Sequence, residues 1–213
     1  NYLFFHIGIE LFSIIIAFNM FIIALNTSHI SEDYYFIFIG ISYGCVGLFD
    51  LFHTVSYEGM NIFINYNACD LSIHLWLIAR YIESISLLAA FWFLDKELKK
   101  EKLISAYIFI TAILLFTTFQ LELFPNYFIE SSGLTLFKVV NEYIILGLLT
   151  LVIILLKYNK EKLNRDMYKY LMWSIIITIS SEIVFMWYNS PYGITAIIGH
   201  ILKLISFYFI YKA

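Results

Sequence analysis

The stretch from Leu3 to Leu25, LFFHIGIELFSIIIAFNMFIIAL, decides the fold, because it runs for 23 residues without a lysine, an arginine or a proline. An α-helix rises about 1.5 Å per residue and needs about 20 apolar residues to cross the hydrocarbon core of a bilayer. The stretch also carries His6 and Glu10, and no small-residue cleavage site follows it, which distinguishes it from a secretory signal peptide. We predict a first transmembrane helix over residues 3–25.

Six further apolar stretches of similar length follow the first. They cover residues 34–56, 71–94, 103–122, 137–157, 168–189 and 194–211. Strands of a membrane barrel alternate apolar and polar residues, and no such alternation runs through these stretches, so helices are the remaining way to span lipid. The sequence therefore predicts an all-α integral membrane protein, a bundle of seven transmembrane helices that forms a single domain over residues 1–213.

The composition agrees with a membrane protein and argues against other classes. Of the 213 residues, 62% are hydrophobic and 14% are charged, and the mean hydropathy is +0.82. A soluble core of this size does not bury so much apolar side chain. The formal net charge of −3, without a basic face, argues against nucleic-acid binding. Cys45 and Cys69 lack a C-x-x-C spacing, and we interpret both as free thiols.

The distribution of lysine and arginine predicts the orientation, because these residues concentrate in cytoplasmic loops. Most of them lie in segments 95–102 and 157–165, and none lies in loops 57–70, 123–136 and 190–193. The N-terminus should therefore lie outside and the C-terminus in the cytoplasm, with the bundle in the cell or inner membrane. An odd number of helices with an outside start also predicts a further helix or signal anchor before Asn1, and a cytoplasmic end at Ala213 predicts a further domain after it.

Ionisable side chains inside the predicted spans are the most informative feature for function. Each costs about 2.5–3.5 kcal/mol at the centre of a membrane helix, so these residues are expected to face one another rather than lipid. Spacings of three or four residues put neighbours such as His6 and Glu10 on one helix face. The full set is His6, Glu10, Asp50, His53, His74, Arg80, Glu83, Lys138, Glu142, Glu182, His200 and Lys203.

In the predicted topology all these residues lie between the outer interface and about the bilayer midplane. Six helices would contribute to one polar cavity in this outer half, and the fourth helix, whose interior polar residues are threonines, would pack outside it. The acids outnumber the lysines and the arginine, so a metal cation or protonated carboxyls would balance the charge. The alternative interpretation is structural, because interhelical polar contacts also hold membrane helices together, with about 0.6–2 kcal/mol each.

Nitrogen and carboxylate donors at a similar depth suit a transition metal such as Zn, Cu or Fe. The candidate metal ligands are His6, Glu10, Asp50, His53 and His200. Two facing histidines, such as His53 and His200, would instead suit haem.

Six of the predicted helices carry polar motifs in a defined order. The motifs are Phe5-His6, Glu10-Leu-Phe-Ser13, Gly47-Leu-Phe-Asp-Leu-Phe-His-Thr54, Ala79-Arg-Tyr-Ile-Glu-Ser84, Gly133-Leu-Thr-Leu-Phe-Lys138, Glu142-Tyr143, Ser181-Glu182 and Gly199-His-Ile-Leu-Lys-Leu-Ile-Ser-Phe-Tyr208. In order and spacing, and over essentially the whole chain, they resemble the third type of membrane-associated sensor (MASE) domain.

This resemblance implies an integral-membrane input domain ahead of a cytoplasmic signalling module, commonly a histidine kinase or a diguanylate cyclase, and a homodimer. It also places ten residues at the motif positions of the family, and we take these as the candidate ligand-binding and sensing residues. They are His6, Glu10, Asp50, His53, Arg80, Glu83, Glu142, Glu182, His200 and Lys203.

We therefore expect a sensory input domain, without catalysis in this segment, that detects a small ligand, a metal ion or a proton in the outer-half cavity and signals through the seventh helix. One alternative is an ion- or proton-conducting or transport protein, which should also carry polar residues through the cytoplasmic halves of its spans. These halves are nearly free of charge. Another alternative is a retinal-binding bundle in which Lys203 forms a Schiff base.

Overall fold

The computed structural model describes residues 2–121, 123–129, 133–186 and 193–213, which form seven long helices. Their bounds are α1 (Tyr2–Thr27), α2 (Tyr34–Ser56), α3 (Ala68–Ala90), α4 (Lys100–Phe119), α5 (Leu136–Tyr158), α6 (Arg165–Met186) and α7 (Ile194–Lys212). All seven are long and apolar enough to cross a membrane, which confirms the predicted multi-pass architecture.

The connections contain only short regular elements. Single 3₁₀ turns lie at Phe91–Phe93 and Lys160–Lys162. Between α4 and α5, strand β1 (Phe128–Ile129) pairs antiparallel with strand β2 (Gly133–Leu134). This strand pair was not predicted, because two residues per strand are too few to show an alternating pattern.

Three helices begin three residues earlier in the chain than the hydropathy predicts, and α1 and α5 begin one residue earlier. A hydropathy window follows only the apolar segment, whereas helical hydrogen bonding continues into the polar flanks. Asn67, for example, caps α3 by accepting a hydrogen bond from the backbone N–H of Asp70 at 3.2 Å. The helices α3, α4 and α6 start at Ala68, Lys100 and Arg165 rather than at 71, 103 and 168. The predicted end of the sixth helix at residue 189 lies outside the described residues.

Six of the helices form a closed ring. Along this ring α1 packs on α2, α2 on α3, α3 on α5, α5 on α6 and α6 on α7, and α7 returns to α1. The remaining helix, α4, lies outside the ring against α2 and exposes Ile108, Phe109 and Phe116 to the surrounding lipid. The ring leaves an interior that only the inward faces of six helices can reach.

Glycines let α1 and α2 approach each other closely. A Cβ atom at Gly40 would lie 2.5 Å from Ala24 Cβ, and one at Gly47 would lie 2.9 Å from Ala17 Cβ. Small residues at such contacts allow membrane helices to pack backbone against backbone. The close contact fixes the register of α1 against α2. It therefore also fixes the relative positions of the polar residues that both helices carry at the same end of the bundle.

The opposite end of the bundle gathers two loops that were predicted to share one side of the membrane. Lys100 Nζ donates a hydrogen bond to Ser28 Oγ at 2.9 Å and lies 2.9 Å from Nε2 of His29. Segment 26–33, which has no lysine or arginine, therefore lies beside the lysine-rich segment 95–102. That this end faces the cytoplasm stays a prediction.

Candidate functional site

The helix faces that point into the ring carry the polar residues predicted from the sequence. His6 and Glu10 lie one turn apart on the buried side of α1, and Asp50 and His53 lie near the end of α2. All ten candidate sensing residues are at most 5% exposed. Because neither lipid nor water can stabilise a charge at such positions, each charged group must find its partner within the protein.

Glu10 connects α1 to α7. Its carboxylate accepts a hydrogen bond from Lys203 Nζ at 2.6 Å, and its other oxygen lies 2.9 Å from His200 Nδ1. Lys203 also forms an ion pair with Asp50 of α2 at 3.0 Å. One lysine on α7 thus joins the carboxylates of two other helices.

The ion pairs continue from α2 into α3. Nη2 of Arg80 donates to both carboxylate oxygens of Asp50, at 3.0 and 3.1 Å, and Nη1 pairs with Glu83. Glu83 in turn accepts a hydrogen bond from the Tyr43 hydroxyl at 2.6 Å. We call this continuous set the ion-pair chain, and its members in order are His200, Glu10, Lys203, Asp50, Arg80, Glu83 and Tyr43.

Three histidine rings meet at the His200 end of the ion-pair chain, and we call His6, His53 and His200 the histidine cluster. The centroid of the His6 ring lies 4.7 Å from that of His200 and 5.4 Å from that of His53. The Tyr57 ring covers His6 with a centroid distance of 4.0 Å. His53 Nδ1 is bonded to the carbonyl oxygen of Ser72 at 2.7 Å.

Part of the histidine cluster is left without hydrogen bonds. Neither ring nitrogen of His6 has a hydrogen-bond partner among the described residues, and the same holds for Nε2 of His53. All three atoms are buried. Buried polar atoms of this kind are rare in proteins and cost about 1–3 kcal/mol each when left unsatisfied. The cluster therefore has unused capacity to bind a ligand.

A second buried ion pair lies apart from the ion-pair chain. Lys138 and Glu142 pair one turn apart on α5, and Lys138 Nζ lies 4.9 Å above the Trp76 ring. One carboxylate oxygen of Glu142 and one of Glu182 are buried without a hydrogen-bond partner in the described part of the chain. The structure thus joins eight of the ten candidate residues in the ion-pair chain and the histidine cluster and leaves Glu142 and Glu182 outside them.

A small cavity of about 50 Å³ lies beside the histidine cluster. Its lining includes His53, His200, Ser72 and Lys138. Of the ten candidate residues only His53 and His200 border it, so the expected single chamber shared by all the charges is wrong. The physical reason is that buried opposite charges contact each other directly and leave no space between them. The remaining volume suits a few water molecules or one ion.

Three of the candidate metal ligands offer their donor atoms to one point. Single ligand atoms of His6, Glu10 and His53 lie within 4.8 Å of one another. Asp50 does not belong to this group, and its carboxylate is paired with Arg80 and Lys203. The donor set of two imidazoles and one carboxylate is typical of sites for Zn²⁺ and related cations.

Haem at His53 and His200 and retinal at Lys203 stay predictions, and the surroundings of these residues bear on both. A haem between His53 and His200 would need a space much larger than the cavity of about 50 Å³ that they border. A retinal on Lys203 would need space beside that side chain, yet Lys203 is 3% exposed and its ammonium is held between two carboxylates. The arrangement of the helices therefore favours a small ligand or an ion.

His74, a further ionisable residue of the predicted spans, has a structural role. Its Nδ1 lies 2.7 Å from the Tyr127 hydroxyl and its Nε2 lies 3.1 Å from Thr118 Oγ1. Burial raises the pKa of Tyr127, so this hydroxyl keeps its proton and can donate it to His74. His74 thus ties α3 to α4 and to the segment before β1, and it lies outside the ion-pair chain.

Three residues that complete the site were not predicted from the sequence, namely Tyr43, Tyr57 and Ser72. For Tyr43 and Tyr57, their spacing along the helix was a signal in the sequence that could have predicted this role. Tyr43 precedes Asp50 by seven residues and Tyr57 follows His53 by four, so both share the inward face of α2 and its extension. Ser72 contributes only its carbonyl oxygen to His53, and a backbone contact of this kind leaves no mark in the sequence.

The chain matches a known protein family. The family MASE3, described as a membrane-associated sensor domain, matches residues 1–213, which is the whole chain. No curated protein and no solved structure matches it.

Proposed function

Because the chain belongs to the MASE3 family of membrane-associated sensor domains, we propose that it is a sensory input domain whose stimulus, a small ligand or ion, binds at the histidine cluster. The signal leaves through α7 toward a cytoplasmic histidine kinase or diguanylate cyclase in the same polypeptide. Catalysis then belongs to that output module. A homodimer brings two such modules together.

The position of Glu10 carries this proposal. Its carboxylate is bonded both to His200 of the histidine cluster and to Lys203 of the ion-pair chain. Any group that binds at the cluster and attracts Glu10 competes with Lys203 for the same carboxylate. Because His200 and Lys203 both lie on α7, this competition acts directly on the helix that leads to the output module.

Lys203 has an alternative partner when Glu10 is withdrawn. Asp50 already contacts its ammonium at 3.0 Å, so the charge on Lys203 remains paired in both arrangements. Membrane helices that exchange contacts in this way shift by about 1–2 Å or rotate slightly. The stimulus changes the balance between the two arrangements only by the difference in its affinity for them.

An ion or proton path is less well supported than a sensor. Such a path needs ionisable side chains or water through both halves of the bundle. In the half nearer to Lys100, the buried polar groups of the described residues include hydroxyls such as those of Ser42, Ser86 and Ser206. The ion-pair chain reaches no further into this half than Glu83 and Tyr43.

Spin labels at Tyr158→Cys on α5 and Tyr211→Cys on α7 would test the coupling, in a Cys45→Ala and Cys69→Ala background. The two tyrosines are 86% and 44% exposed, so labels would not disturb the core. In nanodiscs that hold one copy each, Glu10→Gln and Lys203→Met should change the distance between the labels by about 1–2 Å. His74→Gln, a change of a half-buried polar residue outside the ion-pair chain, should leave this distance unaltered. The same distance in all four proteins would refute the coupling.

A further inference from the structure

We propose that His6, His53 and Glu10 form a binding site for a divalent transition-metal cation such as Zn²⁺, which is then the stimulus of the sensor proposed above. The inference starts from the unused nitrogens. Both nitrogens of His6 and Nε2 of His53 are buried and lack hydrogen-bond partners among the described residues. A metal ion would take a lone pair from one nitrogen of each ring, which would satisfy Nε2 of His53 and one of the two His6 nitrogens.

The hydrogen bond of His53 prepares that residue for ligation. Its Nδ1 lies 2.7 Å from the Ser72 carbonyl oxygen, which can only accept, so Nδ1 carries the proton. Nε2 is then the unprotonated nitrogen, with its lone pair free. Metal-ligating histidines in proteins are almost always oriented by such a bond from the other ring nitrogen to a carbonyl or carboxylate.

The ligand atoms of His6, His53 and Glu10 lie near enough to one another to move into a metal-binding geometry when an ion is present. They lie within 4.8 Å of one another. In a tetrahedral site with bonds of about 2.0–2.2 Å, donor atoms lie roughly 3.4 Å apart. Binding would therefore draw His6 and Glu10 on α1 toward His53 on α2. His200, whose ring lies 4.7 Å from that of His6, stands beside the site.

The charges around the site favour a cation. In the ion-pair chain three carboxyl groups, those of Glu10, Asp50 and Glu83, face two basic side chains, those of Arg80 and Lys203, so acidic groups outnumber basic ones by one before the histidines are counted. This excess lies in a medium of low dielectric constant, where electrostatic attraction is stronger than in water. A metal ion adds positive charge where negative charge is uncompensated.

The cavity provides a place from which an ion can reach the donors. It borders His53 and His200 directly, and Glu58 and Tyr57 line it as well. Its volume of about 50 Å³ is enough for an ion with water. Closure of Glu10 on the ion would weaken its bonds to Lys203 and His200, so binding and the displacement of α7 are parts of one event.

Cobalt provides a direct test, because Co²⁺ occupies zinc sites and absorbs visible light according to its ligands. The purified chain in nanodiscs is titrated with Co²⁺, followed by absorption, and then with Zn²⁺ in competition. We expect one Co²⁺ per chain and displacement of the cobalt spectrum by Zn²⁺. His6→Phe, His53→Gln and Glu10→Gln should each weaken binding at least tenfold, whereas His74→Gln should bind like the wild type.

The variant His6→Phe separates loss of a ligand from loss of the fold. Phenylalanine retains the ring that packs on Tyr57, and the nitrogens that it removes make no hydrogen bond among the described residues. It should therefore unfold at the same temperature as the wild type, or at a higher one, while losing the cobalt spectrum. Absence of Co²⁺ binding to the wild type up to millimolar concentration, or equal binding by all variants, would overturn the metal site.

The two proposals fail independently. The spin-label comparison of Glu10→Gln and Lys203→Met with the wild type uses no metal, so it tests the coupling to α7 even if cobalt does not bind. Conversely, cobalt binding that depends on His6 and His53 without any movement of α7 would establish a metal site and refute the sensory mechanism.

Discussion

Glu10 on α1 and Lys203 on α7 form a buried ion pair with a distance of 2.6 Å between Oε2 and Nζ, although 193 positions separate them in the chain. This contact joins the first and the last helix of the ring. It also connects the histidine cluster, through His200, to the ion pairs that cross α2 and α3. The two ends of the chain are therefore coupled by the same carboxylate that is the proposed metal ligand.

Substitutions in this pair should have unequal effects on stability. Lys203→Met leaves both Glu10 and Asp50 without their shared cation, whereas Glu10→Gln leaves Lys203 paired with Asp50. Removing one partner of a buried pair costs about 3–5 kcal/mol. Lys203→Met should therefore lower the free energy of unfolding by about that amount and Glu10→Gln by less, as measured by denaturant unfolding in detergent micelles. A larger loss for Glu10→Gln would show that Asp50 is not an effective second partner.

The double variant Glu10→Gln and Lys203→Met tests the same contact differently. If the two residues interact, the double variant should lose clearly less stability than the sum of the single variants. Additive losses would mean that the pair does not exist in the folded protein.

His6→Phe should keep or raise the stability of the protein. The ring packing against Tyr57 is retained, and two buried nitrogens without hydrogen-bond partners in the described part of the chain are removed. The gain in the free energy of unfolding is expected to lie between zero and about 3 kcal/mol. Thermal unfolding in metal-free buffer measures it. A loss of more than about 1 kcal/mol would indicate that the His6 nitrogens have partners in the folded protein and are not available to a metal.

Two glycine substitutions test the close contact between α1 and α2. Gly40→Ala would place a Cβ atom 2.5 Å from Ala24 Cβ and 2.9 Å from the Met20 carbonyl oxygen, whereas nothing lies within 4 Å of a Cβ atom at Gly147 of α5. Gly40→Ala should destabilise the bundle by about 1–3 kcal/mol. The matched control, Gly147→Ala, should leave stability unchanged or raise it slightly. Equal thermal stability of the two variants would contradict the packing of α1 on α2.

Local spacing predicted several contacts of the site correctly. The i,i+3 pair Arg80 and Glu83 and the i,i+4 pair Lys138 and Glu142 form as the helical period requires. The number of spans and their apolar character also follow from the sequence, because the bilayer sets the required length and excludes polar backbone.

The contacts between helices could not be predicted in the same way. Asp50 and His53 share a face, yet Asp50 binds Arg80 and Lys203 while His53 binds the Ser72 carbonyl oxygen. These partners depend on the order of the helices around the ring, which hydropathy does not contain. The size of the cavity was overestimated for a related reason. A list of buried charges does not show how many of them neutralise each other by direct contact.

Labelling with a membrane-impermeant maleimide tests the predicted orientation. Ile30→Cys, in the loop after α1, and Ile64→Cys, in the loop after α2, occupy positions that are 89% and 79% exposed. In intact cells that produce the Cys45→Ala and Cys69→Ala background, Ile64→Cys should react from outside, and Ile30→Cys should react only after permeabilisation. The reverse pattern would invert the orientation and place the histidine cluster near the cytoplasmic side.

The most direct test of the central claim is the distance between spin labels at Tyr158→Cys and Tyr211→Cys, recorded in nanodiscs before and after saturation with Zn²⁺. The coupling of the histidine cluster to α7 predicts a change of about 1–2 Å in the protein that retains His6 and no change after His6→Phe. If Zn²⁺ is bound, as judged by displacement of Co²⁺, and the distance distribution stays the same, the ion-pair chain does not carry a signal to α7.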